Sequence, residues 1–85
     1  MERFGIMTDE EYARVLANYD NLTHHEKLQF VRRVVSELQT YLQAKDNLED
    51  IASIRQFVRL LPTIQQRQAR MSELTQQLNS FKHCN

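Results

Sequence analysis

Four groups of residues in this chain have side chains that could do chemistry: His24-His25, His83-Cys84, the carboxylate clusters Asp9-Glu10-Glu11 and Glu49-Asp50, and the arginines from Arg32 to Arg70. Histidines titrate near neutral pH and bind metals. Neighbouring positions on a helix point about 100° apart, so His24 and His25 do not converge on one ion. They read as exposed polar residues in a first helical turn. A closed zinc site needs about four Cys or His ligands at set spacing, and Cys84 is the chain's 1 cysteine. A catalytic thiol needs an ordered base and an oxyanion site, and His83-Cys84 reads instead as a mobile thiol. Gly-rich phosphate loops, nucleophile elbows and paired histidines with a glutamate on one helix face do not occur in the sequence. The expectation is a protein with no catalytic residue, no metal and no cofactor.

The arginines carry the functional reading. Arg55 and Arg59 lie one helical turn apart, Arg67 and Arg70 share a face further on, and Arg32-Arg33 adds a pair upstream. Like charges at i, i+4 cost an isolated helix a few tenths of a kcal/mol. Arg67 also takes a position where an apolar residue would pack better. Such choices point to acidic groups that meet these arginines. Those groups are the chain's own Asp9, Glu10, Glu11 and Asp20, or a partner's surface. Arginine is enriched in interfaces and grips carboxylates with two prongs, so Arg55, Arg59, Arg67 and Arg70 are expected to bind a partner protein with an acidic surface.

These residues must be positioned by helices. Glycine and proline occur once each, as Gly5 and Pro62, and good helix formers dominate. Thr8, followed by Asp9, Glu10 and Glu11, starts a first helix over 8–19, with Tyr12, Val15, Leu16 and Tyr19 on one face. Thr23 and Glu26 have capping-box spacing and start a second helix over 23–44. Its stripe is Val31, Val34, Val35, Leu38, Tyr41 and Leu42, widened by Leu28 and Phe30. Asp46 or Asn47 opens a third helix over 47–61, with Ile51, Ile54, Val58 and Leu61 as its buried stripe and Phe57 and Leu60 beside it. Proline disfavours helix at the preceding residue and lacks a donor, so a break or sharp kink is expected at Leu61–Thr63, with a fourth helix over 63–81.

In that fourth helix Ile64, Met71 and Leu78 recur every seven residues, and so do Arg67, Leu74 and Phe81. This is an a/d seam of coiled-coil type. A seam so narrow beside so wide a polar surface suggests contact with one other helix. Ile64, Met71, Leu74, Leu78 and Phe81 are therefore expected to build a homodimer interface.

The 85 residues suit one domain, and the fold expected over 1–85 is all-α: three to four antiparallel helices forming a helical hairpin or small bundle. Lysine plus arginine and aspartate plus glutamate balance at 11 each, yet residues 1–50 carry 6 basic against 10 acidic side chains and residues 51–85 carry 5 against 1. A chain polarised in this way attracts its own other half, a second copy or an external charged partner. A leader segment and a membrane span are not expected, and a lone thiol suits the reducing cytoplasm. The expected function is a small non-enzymatic regulator or adaptor, chaperone-like in acting by occupancy of a helical face. The alternatives are a transcriptional regulator that uses the basic face on nucleic acid, and a purely structural oligomer subunit.

Overall fold

The computed structural model describes residues 5–83, with side chains described through residue 80. The expectations for Phe81 as a seam residue and for His83-Cys84 as a thiol site lie outside the described side chains. The chain is all-α. Among the described residues it forms α1 (Asp9–Ala17), a short 3₁₀ turn (Tyr19–Asn21), α2 (His24–Ala44), a second 3₁₀ turn (Lys45–Asn47) and α3 (Ile51–His83), with no strand.

Capping sets the starts of these helices. The Thr8 hydroxyl accepts from the Glu11 amide at 3.1 Å. At α2 the reciprocal pair is complete: Thr23 Oγ1 accepts from the Glu26 amide at 3.1 Å, and Glu26 Oε1 accepts from the Thr23 amide at 2.9 Å. Both of these amides would otherwise lack an intrahelical partner. Thr23→Ala is expected to cost about 1 kcal/mol. For a domain of this size that lowers Tm by roughly 4–8 °C. A thermal melt that superimposes on the wild type would show that the box does not hold α2.

α3 does not start at Asp46 or Asn47, which lie in the second 3₁₀ turn. Asp50 caps it instead, its Oδ1 accepting from the Ser53 amide at 2.7 Å. Nor does the helix stop at Pro62. It runs through the proline as one element of 33 residues. The physical reason is visible in the inward-facing residues. Ser53, Phe57, Ile64, Arg67, Met71, Leu74 and Leu78 are all buried, and Leu60 is half-buried between them. Their spacing alternates between four and three, so one seven-residue repeat spans both sides of Pro62 and keeps both segments on the same partner. Pro62 itself is exposed, on the side away from that partner.

The partner is α2, which runs antiparallel to α3. Near one end of the pair the Tyr41 ring stacks on Phe57 with centroids 4.2 Å apart, and its hydroxyl donates to the Phe57 carbonyl. Near the other end Leu28 and Val31 come together with Thr75 and Leu78. The expected homodimer seam is therefore internal. Ile64, Met71, Leu74 and Leu78 are 1%, 2%, 2% and 9% exposed, because α2 of the same chain fills the role given to a second copy. At about 1.5 Å per residue α3 is roughly 50 Å long, and it sets the longest dimension of the molecule, 51 Å. α2, with 21 residues, cannot cover all of it.

α1 lies across one side of this hairpin. The Tyr12 and Tyr19 rings approach Phe30 of α2, with centroids at 6.0 and 6.3 Å. The preceding segment turns at Gly5, whose φ of 67° is in the left-handed region that glycine adopts freely. Ile6 and Met7 are then buried, and the Met7 amide donates to Glu37 Oε1 at 2.9 Å.

Candidate protein-docking face

The seven-residue repeat of α3 assigns every residue of that helix a direction. Residues that face α2 fall on the repeat; Ile51, Ile54 and Val58 fall beside it, on positions that point away. They were expected to be the buried stripe of this segment, and they are not: their exposures are 68%, 44% and 56%. Phe57 and Ser53 are buried in their place. The difference follows from continuity. Once α3 is one helix, the register fixed by Ile64, Met71 and Leu78 extends back to Phe57, and two adjacent stripes cannot both face α2.

The same outward positions change character along the helix. Before Pro62 they hold Ile51, Ile54, Val58 and half-buried Leu61; after it they hold Gln65, Gln68, Ser72, Thr75 and Asn79. The second half has the polar outer surface of an ordinary amphipathic helix. The first half is apolar on two faces, and only one of them is used within the chain. On α2, Leu28, Val35 and Leu42 recur every seven residues along the side of the hairpin opposite α1. Leu42 is 38% exposed and borders a shallow groove with Val35, Gln68 and Met71.

The four arginines do not form one site. Arg55 and Arg59 are exposed on the edge of the Ile51–Val58 stripe, and neither is ion-paired among the described residues. Arg70 is exposed too, and its Nη1 lies 3.2 Å from Glu73 Oε1 on the same helix. Arg67 departs from the expectation of a partner-binding role. It is 2% exposed, donates to Asp9 Oδ1 at 2.9 Å, and lies over the Tyr12 ring at 4.4 Å from its centroid. Arg67 therefore fastens α1 to α3 within the chain, which is the intramolecular alternative for these arginines. The first helix needs such a tie because none of its nine residues is buried. Burial pushes the Tyr12 phenol above its usual pKa, against the opposing pull of Arg67 and Arg70.

The Arg67 pair is asymmetric, since Asp9 is 85% exposed and the Arg67 Nε is buried without a partner. Asp9→Ala removes the carboxylate and leaves a buried guanidinium unpaired, at an expected cost of about 1–3 kcal/mol. Arg67→Met keeps an unbranched stem in the seam and removes the charge, so its stability should lie close to the wild type. Urea unfolding separates the two. Equal loss in both variants would mean that the ion pair, and not the unpaired charge, sets the effect.

His24 and His25 are exposed in the first turn of α2. The Lys27 ammonium lies 5.2 Å from the centroid of the Tyr19 ring, a cation–π contact at the start of α2. Among the described residues no group of three or more His, Cys, Asp or Glu side chains could hold a metal ion, and no helix is long and apolar enough to cross a membrane. Compared with protein-family models, with curated proteins and with solved structures, the chain matches none of them.

Proposed function

We propose that this chain is a small non-enzymatic regulator or adaptor of the cytoplasm that binds a larger protein through the outer face of α3 between Ile51 and Leu61. It acts by occupancy, as a chaperone-like guard of a partner's helix does. The observation that carries this reading is the exposure of Ile51, Ile54 and Val58 on one face of a helix whose other half is polar on that face. Scattered apolar residues are ordinary on a protein surface, but a stripe at helical spacing is the form that helix-to-helix docking takes. Stable interfaces bury roughly 800 Å² per partner, more than three side chains supply, so the complex is transient or is completed by the groove beside Leu42.

The nucleic-acid reading draws on the same surface, since Arg55 and Arg59 are exposed and unpaired among the described residues. It is weakened by the loss of Arg67 to Asp9 and of Arg70 to Glu73. Binding to a phosphate backbone falls steeply with salt, whereas an apolar interface tolerates it. Affinity capture from the native host, at low and high salt, therefore tests both readings. The wild type should enrich one protein at both salt concentrations, and Ile54→Asp/Val58→Asp should lose it. Equal enrichment by the variant would remove this face from the site. Capture of nucleic acid that disappears at high salt would favour the alternative.

A further inference from the structure

We infer that the occupant of the Ile51–Val58 face is an amphipathic helix of another protein with carboxylates along one edge, which pair with Arg55 and Arg59. This inference rests on the docking role proposed above and adds the chemistry of the partner. Three observations point to it. Arg55 and Arg59 project from the edge of the apolar stripe, and no carboxylate among the described residues pairs with either. The outward residues of α3 from Gln65 to Asn79 and the α2 residues Leu28, Arg32, Val35, Ser36, Gln39 and Leu42 contribute no acidic group to this side; the one acid in the second half of α3, Glu73, is held by Arg70. Apart from Glu49 and Asp50, exposed just ahead of α3, the surface beside the stripe is basic or neutral, and on the edge that carries Arg55 and Arg59 the charge it lacks is negative.

A second copy of the chain fits this face poorly. Antiparallel pairing of two identical stripes brings like edges together, so Arg55 and Arg59 of both copies would crowd along one edge. Like charges set against each other across an interface disfavour that pairing. A bilayer surface fits poorly too: interfacial helices present a broad apolar face with Trp, Phe and Leu, and this stripe offers three β-branched side chains backed by a folded hairpin. An acid-edged helix satisfies both features at once. Its apolar residues cover Ile51, Ile54 and Val58, and its carboxylates take the guanidiniums with paired hydrogen bonds.

The test uses two helical peptides with the same apolar face, one edged with glutamate and one with lysine. Their binding to the full chain is followed by fluorescence anisotropy, and light scattering reports the mass of the chain alone. The glutamate-edged peptide is expected to bind roughly tenfold tighter or more than the lysine-edged one, as two partly exposed charge pairs allow. Arg55→Glu/Arg59→Glu should reverse the order, and Arg55→Ala/Arg59→Ala should erase the preference, with unchanged helix content in both. Equal binding of the two peptides would overturn the acidic edge and leave the docking face standing. Binding of neither would overturn both. A dimer mass abolished by Ile54→Asp/Val58→Asp would make the occupant a second copy and overturn the inference.

Discussion

Tyr41→Ala is expected to leave the chain without a cooperative thermal transition. Tyr41 is 0% exposed and stacks face to face on Phe57 near one end of the hairpin. Its hydroxyl donates to the Phe57 carbonyl, so one side chain ties α2 to α3 by packing and by a hydrogen bond. Large aromatic-to-alanine truncations in a core cost about 3–5 kcal/mol. A single small core without disulfide or metal rarely yields more than about 3–5 kcal/mol in total. The loss is therefore comparable to the whole stability of the domain. Tyr41→Phe keeps the ring and forfeits only the hydrogen bond, at about 1 kcal/mol. Circular dichroism on heating distinguishes the two: a broad, non-cooperative decline for alanine and a sharp, slightly lowered transition for phenylalanine. A sharp melt for Tyr41→Ala near the wild-type temperature would show that the stacked pair does not join the helices.

Pro62→Ala is expected to act in the opposite direction. A proline in a helix interior costs about 3 kcal/mol relative to alanine, because it lacks the amide donor and its ring meets the carbonyl four residues back. In α3 that carbonyl belongs to Val58. Pro62 is exposed and faces away from α2, so alanine loses no packing there. The greater freedom of the unfolded chain offsets about 0.4–1 kcal/mol of the gain. The net expectation is a stabilisation of about 2 kcal/mol, seen as a Tm higher by roughly 10 °C. An unchanged or lower Tm would mean that a bend at Pro62 is needed to fit both segments of α3 against α2.

Pro62 also marks where sequence reasoning and structure part. The N-cap at Thr8, the capping box at Thr23, the stripe of α2 apart from exposed Leu42, and the seam from Ile64 to Leu78 are local patterns, and each is found where its residues suggest. The proline suggested a break or sharp kink, and the break reading split α3 into two helices with independent registers. Treated alone, residues 51–61 are best buried through Ile51, Ile54, Val58 and Leu61, since these are the most apolar set at helical spacing. Counted back by sevens from Ile64 and Arg67, the same segment is buried through Phe57 and Leu60. That pattern was legible, and it places the other apolar set on the outside. The role of Arg67 was legible only in part. Its oddity in the seam and the acidic run beginning at Asp9 are both plain, but 58 residues separate the two, and only the tertiary fold brings them together. Arg55 and Arg59 keep their expected exposure. The Ile51–Val58 face reads as core when its segment is taken alone, because an apolar stripe is more often core than surface.

Hydrogen exchange tests the docking face most directly, measured on the full chain alone and in complex with the protein it captures from its host. Slowed exchange on binding is predicted for the amides of residues 51–61, where Ile51, Ile54 and Val58 leave solvent and fraying of the first turns of α3 is suppressed. α1 and the polar half of α3 from Gln65 to Asn79 should exchange as in the free chain. Slowing confined to α1 or to that polar half, with residues 51–61 unchanged, would contradict the assignment of this face.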